Sequence, residues 1–247
     1  MQISYTALHS LMECEYSYFL RYVDRVSIME SSASVYGTAV HRTIKIGYDN
    51  NLARDDWAKV FRSEWVALTA NKDIVFAYDN EYLKKFKDGQ QLLLDYYDTF
   101  VKKEKKPPQM LEYFFGKDKA VMLGNHVIVG VLDQVDAQDR VIDYKTGVKP
   151  TQAKLDLDLQ FTIYSYAFRQ LFGRKEGGLV LRHLGTMKDL KTERTDDDFE
   201  ILKEEVDKVE RRLKGKIFVR NLGRGCASCY FLEHCLGKER KIGRSWA

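Results

Sequence analysis

The chain has 247 residues, 45% hydrophobic and 31% charged, which describes one large soluble globular domain or a domain with a small module attached. Its 40 basic and 36 acidic residues leave a net charge of +4, so contact with nucleic acid must come from a local basic groove and not from a general excess. No run approaches the length of a membrane span and the N-terminus lacks a signal-peptide pattern, so the expected compartment is the cytoplasm, where structural disulfides are rare and four cysteines need another role.

Ser4 is placed to cap a helix running through Tyr22, with Leu8, Leu11, Met12, Phe19 and Val23 near helical spacing. Further helices are expected over 35–48, 55–68 and 81–101, the last stopped by the charged run 102–106 and Pro107-Pro108. The character then changes. Segments 110–116, 119–123, 126–133 and 140–145 read as strands, with Gly124-Asn125 as a tight turn between the second and third. Helical period returns over 156–172 through Leu159, Ile163, Tyr166 and Ala167. A short apolar strand at 178–184, a charged amphipathic helix over 198–213 and a cysteine-rich end complete the chain. This order predicts an α/β fold with helical additions, and not an alternating doubly wound sheet. It divides into a helical part over 1–108, a core over 109–215 and a cysteine module over 216–247.

Asp133 stands ten residues before Asp143-Tyr144-Lys145. On a strand, Asp143 and Lys145 project from one face, while the Tyr144 side chain points the other way. A carboxylate beside an ammonium, with a second carboxylate on the neighbouring strand, can hold a divalent cation and help position a water, as phosphodiester hydrolysis requires. Read alone, the pair equally describes a surface hairpin closed by a salt bridge. His41 follows Gly37 by one helical turn, where a glycine lets another backbone approach closely and an imidazole suits Mn²⁺ or the neighbourhood of Mg²⁺. Gln160 and Tyr164 share a helical face and offer an amide and a phenol to a phosphate or to the lysine. Glu112, near the start of the first predicted strand, is a weaker candidate for the same centre.

Cys226-Ala227-Ser228-Cys229 followed by Cys235 gives three thiols in a glycine-flanked segment, and Cys14 on the first helix would complete four ligands. Such a set suits an iron–sulfur cluster or zinc, and spacing does not decide between them.

In their order these motifs resemble the RecB-like nucleases of the PD-(D/E)xK superfamily, in particular the iron–sulfur subgroup that includes AddB-type nuclease domains and CRISPR-associated RecB-like exonucleases. The resemblance is carried by residues 4–8 and 14–23 of the first helix, by Gly37-Thr38-Ala39-Val40-His41 and by Gly130-Val131-Leu132-Asp133. Asp143-Tyr144-Lys145-Thr146-Gly147, the Gln160 to Tyr164 spacing and the four cysteines complete it. Many relatives have proline where this chain has Glu15, and the first half of the core motif lacks proline too.

The resemblance implies a restriction-endonuclease-like core, a mixed central sheet flanked by helices, with an N-terminal helical part and a C-terminal iron–sulfur module packing back on the first helix. It implies that His41, Asp133, Asp143 and the Tyr144 backbone carbonyl bind Mg²⁺ or Mn²⁺. Lys145 would then act on the attacking water or the transition state, with Gln160 and Tyr164 positioning it or the substrate. Cys14, Cys226, Cys229 and Cys235 would hold a 4Fe–4S cluster, with zinc the rival occupant. The implied activity is that of a deoxyribonuclease, an exonuclease on single-stranded DNA ends. Protein partners in repair, recombination or CRISPR adaptation follow from the same likeness, and membrane association does not. The competing reading is a nonenzymatic DNA-end-binding subunit of such a complex.

Overall fold

The computed structural model describes residues 1–70 and 73–237, so positions 238–247 of the cysteine module expected over 216–247 lie outside the described residues. In chain order the elements begin with β1 (Gln2–Ser4), α1 (Tyr5–Glu13), α2 (Glu15–Tyr18) and a π-helical turn over Phe19–Val23. Next come β2 (Glu30–Ser31), α3 (Ser32–Asp49), α4 (Arg54–Thr69), β3 (Ile74–Val75), α5 (Glu81–Thr99) and a 3-10 turn over Val101–Lys103. Then follow β4 (Met110–Phe115), β5 (Val121–Leu123), β6 (His126–Val135), β7 (Arg140–Lys145), α6 (Gln152–Asp156) and α7 (Leu159–Phe172). The chain continues through β8 (Gly178–His183), β9 (Lys188–Thr192), α8 (Asp196–Gly215), a 3-10 turn over Arg224–Ser228 and α9 (Leu232–Leu236). Among the described residues no helix is long and apolar enough to cross a membrane.

The chain folds into two compact units. The first comprises Met1–Ile28, Phe115–Gly130 and the chain from Arg194 onward. Here β1 runs parallel to the first half of β6, from Gln2↔Val127 to Ser4↔Val129, and β5 pairs antiparallel with the same stretch. The pairing Leu123↔His126 leaves Gly124-Asn125 as the two-residue turn, with Gly124 at φ 56, a left-handed conformation that glycine adopts without strain. Ser4 caps α1 as expected, its Oγ accepting from Ala7 N at 3.2 Å. The helix expected to continue through Tyr22 instead breaks at Cys14, which is extended at φ −160 and ψ 111. The C-terminal chain holds this break. Tyr16 N donates to Val219 O at 3.2 Å, and Val219 N donates to Glu15 Oε2 at 3.1 Å. The charged helix α8 begins at Asp196 behind a Thr195/Asp198 capping box and buries Leu202, Val206 and Val209.

The second unit comprises Met29–Phe114 and Val131–Glu193. Its sheet is mixed: the end of β6 pairs antiparallel with β7, β7 parallel with β8, and β8 antiparallel with β9. Strand β9 was not legible in the sequence, because Lys188-Asp189-Leu190-Lys191-Thr192 is a short, charged edge strand without the apolar alternation of a buried one. Helices α3, α4 and α5 enclose an aromatic core of Tyr36, Trp57, Phe61, Trp65 and Tyr96, closed by Ile142 and Tyr144 of β7 and Val180 of β8. Phe161, Ile163, Ala167 and Phe168 of α7 are also buried. The helix expected over 156–172 is α7, which starts three residues later because Asp158 Oδ1 caps it by accepting from Gln160 N at 2.9 Å; the short α6 precedes it.

Candidate metal centre

Strand β7 sorts its side chains by alternation. Ile142 and Tyr144 enter the aromatic core, leaving Asp143 and Lys145 to the opposite face. The second unit brings His41, Glu112, Asp133, Asp143, Lys145, Gln160 and Tyr164 into one connected network. Asp143 is 1% exposed. Its Oδ1 receives Lys145 Nζ at 3.3 Å, Gln160 Nε2 at 3.1 Å and Tyr164 OH at 3.4 Å. Gln160 uses both ends of its amide. Its Oε1 accepts from Lys145 Nζ at 3.0 Å, while its Nε2 also reaches Tyr164 OH at 2.7 Å. The far side of the strand end is pinned as well: Leu184 N donates to Lys145 O at 2.9 Å, and His183 Nε2 lies 2.7 Å from Gly147 O.

On the other side of β7, the ladder with β6 ends at Gln134↔Ile142. One residue further, Asp133 Oδ2 accepts from Tyr144 N at 2.9 Å. His41, on α3, sets Nε2 3.2 Å from the Tyr144 carbonyl oxygen and Nδ1 3.3 Å from Glu112 Oε1 and 3.7 Å from Asp133 Oδ2. The Tyr144 carbonyl, expected to face a metal, is therefore in contact with His41 in this arrangement. That contact is the kind of outer hydrogen bond that fixes the tautomer of a metal-binding histidine and leaves its other nitrogen for the ion. Gly37 does not serve a close backbone approach: a Cβ there would meet Thr146 Oγ1 at an ordinary 3.6 Å.

Glu112, the weakest candidate in the sequence, stands in the centre. It sits in β4 with φ 49, a strained conformation for a side-chain-bearing residue. One donor atom each from His41, Glu112 and Asp133 lie within 4.8 Å of one another. An imidazole with two carboxylates is a donor set that Mn²⁺ accepts and that Mg²⁺ can share through its carboxylates. The electrostatics fit a cation. Burial pushes Asp133 up to about 7, a rise that Asp143 and Glu112 enhance and His41 opposes. Burial alone would lower the His41 pKa, but Asp133, Glu112 and Asp143 carry it up to about 9. Asp143 Oδ2 is buried and accepts no hydrogen bond, although the Lys145 ammonium lies 3.0 Å away. A cation would satisfy both this oxygen and the crowded carboxylates.

Sequence reasoning missed the support behind Tyr144. Its hydroxyl donates to Gln134 Oε1 and contacts Tyr96 OH at 3.1 Å; Tyr96 OH contacts Tyr48 OH at 3.2 Å, and Tyr48 OH donates to Glu104 Oε2 at 2.7 Å. These residues come from α3, α5, the loop after it and β6, so no sequence spacing links them. Asp158 was also missed, although an aspartate just before a helical period is a legible cap signal.

In the first unit, Cys14, Cys226, Cys229 and Cys235 line one cavity of about 420 Å³, together with Arg21 and Arg220. No three of the four sulfurs lie within 4.8 Å of one another. Asn221 N donates to Cys14 Sγ at 3.5 Å and Gly223 N to Cys226 Sγ at 3.4 Å. Burial raises the Cys235 thiol pKa, with Arg220 opposing and the other three thiols adding to the rise.

The PD-(D/E)XK nuclease superfamily model matches residues 2–236. No curated protein matches the chain. With nearly its whole length covered, the chain belongs to the PD-(D/E)XK nuclease superfamily, and membership implies a metal-dependent nuclease.

Proposed function

We propose that this member of the PD-(D/E)XK nuclease superfamily is a Mg²⁺- or Mn²⁺-dependent DNA exonuclease acting on single-stranded ends. The observation that supports hydrolysis best is the Asp143–Lys145 pair held by Gln160 and Tyr164 beside the His41–Glu112–Asp133 donors. His41, Glu112, Asp133 and Asp143 would hold one or two ions; the Tyr144 carbonyl, a ligand by the likeness to RecB-like nucleases, would have to give up its contact with His41 Nε2 to join them. A bound ion lowers the pKa of a water and neutralises charge developing on the phosphate. Lys145 keeps its proton, because Asp143 and Asp133 outweigh the effect of burial, and its ammonium orients the attacking water or donates to the transition-state oxygen. Gln160 fixes the lysine's direction by holding it and Asp143 at once. A groove of about 540 Å³ beside the donors is lined by Gly37, Thr38, His41, Arg42, Lys45 and Glu112; Arg42 and Lys45, now paired with Glu64 and Asp49 on the surface, would exchange those partners for a phosphodiester backbone. The preference for single-stranded ends, and protein partners in repair, recombination or CRISPR adaptation, rest on the likeness to RecB-like exonucleases.

We further read the cysteine pocket as the seat of a 4Fe–4S cluster with a structural role. Four sulfurs around one zinc, each about 2.3 Å from the ion, would lie about 3.8 Å apart. No three of the sulfurs are that close here, and the choice of a cluster over zinc rests on the likeness to the iron–sulfur subgroup, with all four thiols lining one cavity of about 420 Å³. Digestion of end-labelled single- and double-stranded DNA with Mg²⁺, Mn²⁺ or chelator tests the enzymatic reading. The expected result is metal-dependent release of nucleotides from single-stranded ends, abolished in Asp143→Ala. Binding to DNA ends without cleavage under any metal would turn the assignment to a nonenzymatic end-binding subunit.

A further inference from the structure

We propose that His126, Asp207 and Glu210 form a second divalent-cation site, built from residues that the nuclease centre does not use and fitted to zinc. All three belong to the first unit. His126 opens β6, and Asp207 and Glu210 are three apart on α8, hence on one face of that helix. One donor atom from each lies within 4.8 Å of the other two.

The histidine supplies the observation that an acidic pair alone would not. His126 is 3% exposed, and its Nδ1 is buried with no hydrogen-bond partner. Its Nε2 points at Glu210 Oε2 but stays 3.7 Å away, too far for a hydrogen bond. A buried imidazole with neither nitrogen hydrogen-bonded is costly, and a metal bond to Nε2 would give the ring one partner while leaving Nδ1 as it is. Tetrahedral zinc with Zn–N and Zn–O bonds near 2.0–2.1 Å sets its donors about 3.4 Å apart, so the 3.7 Å gap needs to close by only a few tenths of an ångström.

Glu210 is prepared for this role. Its Oε1 accepts from Lys214 at 2.9 Å, and its other oxygen faces the histidine. One imidazole and two carboxylates, with the fourth position left to water from the half-exposed helix face, make a zinc donor set. The ion would tie the start of β6 to α8, elements about eighty residues apart in the chain, and so stabilise the first unit.

The test uses the whole 247-residue chain, with Asp207→Asn and Glu210→Gln as variants because both side chains are partly exposed and leave the buried histidine in place. Zinc at about 100 times its dissociation constant should raise the wild-type Tm by about 5–10 °C. Each substitution should weaken that response at least about tenfold in zinc concentration, by loss of a ligand bond, while Mg²⁺-dependent activity stays unchanged. Crystals grown with zinc should show anomalous density between the three side chains. An identical zinc response in both variants, or anomalous density elsewhere and none at His126, overturns the site.

Discussion

The backbone N–H of Tyr144 donates to Asp133 Oδ2 at 2.9 Å, so a carboxylate of β6 does the work of a ladder carbonyl where the β6–β7 ladder ends. Asp133 therefore serves the strand pair and, in the proposed enzyme, would serve as a metal donor as well. Its two roles separate in mutants. Asp133→Asn keeps an oxygen for the Tyr144 N–H but loses the charge. Asp133→Ala also leaves the buried N–H without a partner, at a cost of about 1–3 kcal/mol. Both should lower metal-dependent turnover by about a hundredfold or more, on the scale of losing a metal ligand. Denaturant melts should show the larger stability loss in Asp133→Ala; equal losses in the two would refute the strand-pairing role.

Gln160 touches Lys145, Asp143 and Tyr164 together and, in the proposed enzyme, would position the first two. Gln160→Ala should lower kcat about tenfold to a hundredfold with little change in KM, because the ammonium loses its direction and not its charge. Gln160→Glu should not restore activity, since a carboxylate cannot donate to Asp143 and adds like charge beside it. A change confined to KM would place Gln160 on the substrate instead.

Much of this centre was legible because its motifs are local. Asp143 and Lys145 are two apart on a strand, and Gln160 and Tyr164 are four apart on a helix, so period alone puts each pair on one face. What failed to show was whatever depends on tertiary geometry. Glu112 combines a positive φ with a carboxylate 3.3 Å from His41 Nδ1, and no propensity signals either. The break at Cys14 interrupts a good helical period because distant chain at Val219 captures the backbone there. The edge strand β9 and the Tyr144–Tyr96–Tyr48 chain were hidden for the same reason.

Glu176 predicts a pH response away from the metal. Burial would raise its pKa, but Arg169, Ser165 and a backbone N–H outweigh that and hold the carboxyl below its ordinary range. Its contribution to stability is therefore present above the unfolded value of about 4.3 and is lost as pH falls through the lower folded value. Urea midpoints measured between pH 6 and about pH 3 should fall less steeply for Glu176→Gln than for the wild type. Parallel curves would remove Glu176 from the acid transition.

Gly89 lies where α5 packs on α4. A Cβ there would stand 2.0 Å from the Phe61 ring, and Phe61 is fully buried. Helix propensity alone favours alanine over glycine by about 1 kcal/mol. Overpacking should reverse that sign, and Gly89→Ala should destabilise by about 1–3 kcal/mol. Gly89→Ala/Phe61→Leu, which opens space, should recover part of the loss in a thermal melt. An alanine variant as stable as wild type would show that the two helices can separate without cost.

Cys14 is the sharpest test of the cysteine pocket, because more than two hundred positions separate it from Cys226, Cys229 and Cys235 and only the fold brings them to one cavity. If the four hold a cluster, protein purified without oxygen is brown and carries about four irons per chain. Cys14→Ala should lose most of that iron and its visible absorption. It should also unfold more easily by about 4–5 kcal/mol, the scale of a covalent tie closing a loop of this length. Cys14→Ser separates ligation from packing, since it keeps the volume but offers a poor ligand. Iron loss in both variants supports a cluster, whereas stoichiometric zinc in colourless wild-type protein would assign the pocket to zinc. A Cys14→Ala protein with unchanged iron and unchanged Tm would remove Cys14 from the ligand set, leaving three thiols that the break in the first helix does not serve.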